Sequence, residues 1–120
     1  MPVQTQPIRI LLVEDEAMIA MLVEDFVADL GGELVATAAR LDDALVQASE
    51  RDFDLAILDL NLAGTFTYPV ADILRQRGIP FVFATGYGTS GLAHGYDDVV
   101  MLQKPFQASE MEQVILRMLC

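Results

Sequence analysis

Glu14 and Asp15, Asp59 and Asn61, Thr85, and Lys104 each stand just after a short apolar run of this 120-residue chain, where a strand would end. Three acids, one hydroxyl and one amine on a common rim form a coherent set for phosphoryl chemistry. Hard carboxylate oxygens suit Mg2+, which binds one or two carboxylates and keeps waters for a phosphoryl oxygen. A carboxylate can attack phosphorus and form an aspartyl phosphate. A lysine and a metal can neutralise charge on the group in transfer, while a hydroxyl donates a hydrogen bond to it. Each residue alone has a plainer reading. Asp59 or Thr85 can cap a turn, Glu14 and Asp15 can be helix N-terminal acids, and Lys104 can be a surface charge. Their joint order along the chain favours the chemical reading.

The elements that would carry these residues are legible from apolar periodicity. Ile8 to Val13 reads as a strand that ends abruptly at Glu14-Asp15-Glu16. Ile19, Leu22, Val23, Phe26, Val27 and Leu30 follow at the spacing of an amphipathic helix, which Gly31-Gly32 stops. Glu33 to Ala38 is a second strand. Leu41 to Arg51 is a helix with Asp42 and Asp43 near its start and a core face of Leu41, Ala44, Leu45 and Ala48. Leu55 to Leu58 has the continuous apolar character of a strand buried on both faces. The loop Asn61 to Tyr68 leads to Pro69, suited to a first helical turn, and Gly78 with Pro80 closes that helix. Ile79 to Ala84 and Val99 to Leu102 are the fourth and fifth strands, separated by a weak, glycine-containing helix at Thr89 to Gly95. The last helix presents Met111, Val114, Ile115 and Met118. Five alternations predict one α/β domain, a parallel sheet with helices on both faces and right-handed crossovers. In such a sheet, ligands sit in the crevice at the carboxyl ends of the strands.

Composition bounds the possible partners. The formal net charge is -11, with 13 Asp/Glu against 3 Arg in residues 1–60 and 5 against 4 Lys/Arg in residues 61–120. Nucleic-acid binding needs phosphate neutralisation and is not expected. No run approaches the roughly 18 apolar residues of a membrane span. The single cysteine, Cys120, cannot form an internal disulfide, and residues 1–7 lack a secretory pattern, so a cytoplasmic location is expected.

Four motifs together carry a resemblance: Leu12-Val13-Glu14-Asp15, Leu58-Asp59-Leu60, Ala84-Thr85-Gly86 and Lys104-Pro105-Phe106. The chain resembles a response-regulator receiver domain over about residues 8–120, with no output domain expected. The resemblance implies a flavodoxin-like, doubly wound five-stranded sheet of order 2-1-3-4-5. It implies Asp59 as phosphoacceptor, and Mg2+ held by Asp15 and Asp59, by Glu14 through water and by the backbone carbonyl of Asn61. Thr85 would be the switch hydroxyl and Lys104 the phosphoryl partner, with Pro105 a cis proline. The phosphoryl donor would be a histidine kinase or a histidine phosphotransfer protein. Signalling would then run by contact with a downstream protein, without nucleic acid or membrane and without turnover of an external substrate.

Two departures stand out. The usual receiver carries an aromatic residue three positions before the lysine, and here that position is Met101. Leu62-Ala63-Gly64 lacks the proline commonly found after the phosphoacceptor. The stretch Phe83-Ala84-Thr85-Gly86-Tyr87 instead resembles a receiver subgroup with a Phe-Ala-Thr-Gly-Tyr signature, often stand-alone domains. Tyr87, the nearest aromatic to Thr85 on the site side, is therefore a switch candidate beside Thr85 and Met101. Other classes fit less well. A haloacid-dehalogenase-type phosphatase normally wants an acid where Asn61 stands. A flavodoxin-like cofactor binder would place Glu14-Asp15-Glu16 against a flavin phosphate. A receiver-shaped binding module that is never phosphorylated would not need the acid, threonine and lysine together.

Overall fold

The computed structural model describes residues 7–86, 95–96 and 98–119. Five parallel strands form the sheet: β1 (Arg9–Val13), β2 (Glu33–Ala38), β3 (Leu55–Asp59), β6 (Phe81–Thr85) and β7 (Met101–Gln103), in the order β2-β1-β3-β6-β7. Counting only these five strands, the order is 2-1-3-4-5, as expected. A two-stranded antiparallel hairpin, β4 (Asn61–Leu62) and β5 (Thr65–Phe66), follows β3. The helices are α1 (Ala17–Asp29), α2 (Leu41–Glu50), α3 (Tyr68–Arg77) and α4 (Ala108–Leu119).

Alternation along each central strand sends side chains to two cores, because successive residues of a strand point to opposite faces. Leu11 and Val13 of β1, Ala56 and Leu58 of β3, and Phe81 and Phe83 of β6 pack with α2 and α3. Ile10 and Leu12, Leu55 and Ile57, and Val82 and Ala84 pack with Val23 and Val27 of α1 and with Met111 and Ile115 of α4. The two faces explain why Leu55–Leu58 is continuously apolar. The α2 core face holds as read, with Ala44 and Ala48 fully buried and Leu41 and Leu45 packed against them.

Several expectations are corrected. Leu22, placed in the buried stripe of α1, is 44% exposed and lies beside Met18 and Met21 on the solvent side. The third strand extends one residue further than Leu58, so Asp59 is its last member, paired with Ala84. Thr85 is likewise inside β6 rather than after it. The fifth strand starts at Met101, not Val99, because the Val99 amide donates to the Tyr96 carbonyl and closes a turn there. The expected loop after Asp59 is partly a hairpin. Ala63 (φ 52°) and Gly64 (φ 94°) both turn left-handed, as a two-residue antiparallel connection of the tightest kind requires. Gly78 ends α3 in the left-handed conformation (φ 73°), as its position suggested. Tyr87 and most of the Thr89–Gly95 stretch, expected as a weak helix, lie outside the described residues, as does Cys120.

Candidate functional site

The strand ends are drawn together by backbone hydrogen bonds. The Glu14 amide donates to the Ala38 carbonyl, the Leu60 amide to Ala84, and the Lys104 amide to Thr85. β1, β3, β6 and β7 therefore finish at one level. The expected residues arrive on this rim because each follows, or ends, its strand.

Lys104 lies at its centre. Its Nζ is 2.8 Å from Glu14 Oε1 and 3.2 Å from Asp59 Oδ2, with Glu16 Oε1 more distant at 3.9 Å. Glu14 and Asp59 are almost wholly buried, whereas Asp15 is exposed at the mouth. The second oxygen of Glu14 accepts the Glu16 amide at 3.2 Å. Glu14, Asp15 and Asp59 can each offer an oxygen within 4.8 Å of the others. Hard donors in that number suit a divalent cation. Three carboxylates facing one ammonium also leave a formal balance of two negative charges.

Burial is the main cause that pushes the Asp59 carboxyl up, from 3.8 to about 7, and the neighbouring Glu14 charge adds to it; Lys104 opposes both. Burial pulls the Lys104 ammonium down, but hydrogen bonding to Glu14 and attraction to Asp59 and Glu14 outweigh it, so its pKa rises. The site is thus electrostatically unfinished. One of its acids holds its proton near neutral pH.

A polar cavity of about 300 Å³ opens over Asp59, bordered by Asp15, Asn61, Thr85, Gly86 and Lys104. Thr85 is buried at its wall. The Lys104–Pro105 peptide bond is cis. The Asn61 side chain is spent locally, with Oδ1 accepting the Gly64 amide at 2.7 Å across the hairpin turn. Met101 lies opposite Phe83 in the β6–β7 ladder, half-buried against the α2–α3 core and away from the cavity lining. Next to the polar cavity is an apolar one of about 340 Å³, lined by Ile19, Leu22, Pro105 and Phe106 with Glu16 and Lys104 at its edge.

Two participants were not singled out from sequence. Glu16 is one, hidden within a run of three acids. Thr67 is the other: its hydroxyl donates to the Asp59 carbonyl at 2.7 Å from a fully buried position. A Thr two residues before Pro69 signals a helix start, but nothing in that signal points back to Asp59.

The strand order defines a doubly wound, flavodoxin-like sheet, with this rim of acids, threonine and lysine at the carboxyl ends of its strands. Residues 10–116 match the response regulator receiver domain, and the chain belongs to that family. Among solved structures it is similar to SdrG from Sphingomonas melonis Fr1, at 38% identity over 98% of this chain and 100% of that one, with a TM-score of 0.85. A BeF3-activated conformation of SdrG is similar with a TM-score of 0.81. The receiver domain of the response regulator PhyR from Erythrobacter litoralis aligns at 32% identity over 95% of this chain and 91% of that one, with a TM-score of 0.82. The two-component response regulator PhoP of Pseudomonas aeruginosa is 35% identical over 87% of this chain and 48% of its own length. The chain spans about half the length of the curated response regulators it matches. Receiver domains are signalling domains, and this chain is one. Among the described residues no helix is long and apolar enough to cross a membrane.

Proposed function

We propose that Asp59 accepts a phosphoryl group from a phosphohistidine of a histidine kinase or a histidine phosphotransfer protein. The observation that carries this reading is the buried Asp59 carboxylate paired with Lys104 at 3.2 Å, inside a cluster with Glu14 and Asp15. A carboxylate oxygen of Asp59 forms a bond to phosphorus as the P–N bond to the donor imidazole breaks. That imidazole keeps the bonding pair and takes a proton from solvent. Lys104, already shared between two carboxylates, is placed to follow the negative charge onto the phosphoryl oxygens. Thr85, at the cavity wall, supplies the hydroxyl that the phosphoryl group hydrogen-bonds.

Glu14, Asp15 and Asp59, with the Asn61 backbone carbonyl, would hold Mg2+. When bound, the ion would neutralise the residual charge of the carboxylate cluster and of the phosphoryl oxygens. The apolar cavity lined by Ile19, Leu22, Pro105 and Phe106, on the helix that also exposes Met18 and Met21, would give the donor protein a surface beside the reacting atoms. Output then passes by protein contact, with Thr85, Tyr87 and Met101 as the residues to report the modified state. This stretch of chain acts as a receiver domain in the cytoplasm.

The test is incubation with Mg2+ and acetyl phosphate, followed by intact mass, with Asp59→Asn as control. A mass gain of one phosphoryl group in the native protein and none in the variant supports the reading. No Asp59-dependent gain, together with no beryllofluoride-induced NMR shifts, refutes it.

A further inference from the structure

Thr67 is the residue that precedes α3, a position where a threonine side chain ordinarily accepts an amide of the first helical turn. Here it does not cap the helix. The Thr67 carbonyl takes the amides of Val70 and Ala71 instead, and the hydroxyl turns away, towards β3. Its oxygen lies 2.7 Å from the Asp59 carbonyl and 3.3 Å from that of Leu60. One hydroxyl has one proton, so the shorter contact takes most of it. The Leu60 carbonyl has its own donor, the Thr67 amide at 3.0 Å. The β1 ladder stops opposite Leu58, one residue before Asp59, and the hydroxyl provides a donor to the carbonyl beyond it.

From these contacts we infer that Thr67 is a positioning residue for phosphorylation, holding the Asp59 peptide so that its carboxylate meets the incoming phosphorus. The inference rests on Asp59 being the phosphoacceptor. Thr67 is fully buried, so water cannot replace its hydroxyl at the Asp59 carbonyl. The residues around it fix the hydroxyl in turn. The Phe66 and Tyr68 rings stack at 5.5 Å on either side of it in sequence, and Tyr68 stacks on Tyr96 at 4.5 Å and meets the edge of Phe83 at 5.9 Å. The hairpin that starts at Asn61 is closed by the same residue, so the Asn61 carbonyl is set by it too. Small displacements of a reacting group cost rate far more than they cost folding.

Thr67→Val keeps the shape and removes the donor, whereas Thr67→Ser keeps the donor. With Mg2+, the rate of phosphorylation at saturating acetyl phosphate should fall about tenfold in Thr67→Val, the order expected for one buried hydrogen bond. The half-saturating acetyl phosphate concentration should stay unchanged, and Thr67→Ser should recover the native rate within about twofold. Native rates in Thr67→Val overturn the inference, as does a Ser variant that fails to rescue in rate or in folding. If Thr67→Val does not fold, Thr67→Ala takes its place. Failure of both while Ser folds overturns the inference, since the hydroxyl would then serve folding alone. Native protein that gains no Asp59-dependent phosphoryl group removes the phosphoacceptor reading, and this inference with it. A phosphorylated native protein with an unaffected Thr67→Val variant removes only the inference.

Discussion

Replacing Asp59 by Asn should stabilise the metal-free protein, and by an amount that grows with pH. The Asp59 side chain is 7% exposed, and burial with Glu14 beside it raises its pKa from 3.8 to about 7. The folded protein therefore holds this proton more tightly than the unfolded chain does. Below pH 3.8 both states are protonated and Asp59 carries no penalty. Between 3.8 and about 7 the unfolded state is ionised while the folded state is not, so stability falls as pH rises. Above about 7 both are ionised and the penalty is constant. Each tenfold change in proton affinity is worth about 1.4 kcal/mol, so the full penalty is at most about 4 kcal/mol. Asp59 lines a cavity open to water on one side, and we halve that figure to about 2 kcal/mol.

Asn reproduces the neutral carboxyl, and Lys104 is not orphaned by the change because Glu14 holds it at 2.8 Å. Urea unfolding of the two proteins in EDTA at pH 5 and pH 8 reads the effect. The stability advantage of Asp59→Asn should widen between these two values by about 1–2 kcal/mol, corresponding to several degrees in Tm for a domain of this size. Millimolar Mg2+ should narrow or reverse the gap at pH 8, since a ligand of the native state stabilises only the protein that binds it. A difference independent of pH, or an Asn variant less stable at pH 8, would refute the electrostatic reasoning.

Three further variants probe the packing and charge of the same fold. Lys104→Met leaves the carboxylates of Glu14 and Asp59 buried without their cation and should cost about 3 kcal/mol at pH 8, measured by urea unfolding; protonation of Asp59 should make the cost smaller at pH 5. Gly32→Ala brings a Cβ to 2.9 Å from Val27 Cγ1 and 3.2 Å from the Ile8 carbonyl, and Val27 is buried and cannot swing aside. It should lower stability by about 1–3 kcal/mol, and a change below about 0.5 would show that β2 can shift. Ala63→Asn should raise stability by about 0.5–1 kcal/mol, because Ala63 adopts a left-handed φ of 52° that Asn tolerates better, ahead of Gly64 in a two-residue hairpin turn. Thermal unfolding at fixed pH would decide it.

The sheet was legible because its central strands are buried on both faces, and continuous apolar runs separated by helical periodicity admit few other arrangements. The rim residues were legible for the same reason, since each follows directly on such a run. What escaped depends on events that periodicity does not encode. Leu22 has the spacing of a core residue, but spacing reports a stripe and not whether anything covers it. Val23 and Val27 meet the sheet, while Leu22 borders an uncovered apolar cavity. The hairpin after Asp59 has strands of two residues each, too short for alternation to register. Its one local sign is Gly64, and the partner in the turn is an alanine rather than the asparagine that would announce it. Thr67 escaped because a threonine ahead of a helix reads as its cap, and only the folded chain shows the hydroxyl bonded elsewhere.

Met101 is best understood with the aromatic residues that the sheet brings to its side. It pairs with Phe83, whose ring is fully buried and lies 5.9 Å from Tyr68, 6.1 Å from Tyr96 and 5.6 Å from Phe81. Tyr96 stacks on Tyr68, hydrogen-bonds Asp72 of α3, and lies under the Arg75 guanidinium at 4.8 Å. Arg75 in turn donates to the Gly95 carbonyl and pairs with Asp98 at 3.0 Å. A set of rings and charges thus joins α3 to the turn that leads into β7, on the α2–α3 side of the sheet. Met101 packs, partly buried, against this side of the sheet, where a flexible thioether adapts to the space its neighbours leave. The aromatic mass that receivers usually carry at this strand position is supplied here from α3 and the turn before β7. One of those rings, Tyr68, directly follows Thr67 and stacks on Phe66 just before it, so the packing of this cluster reaches the backbone of Asp59 through the hairpin as well as through the sheet.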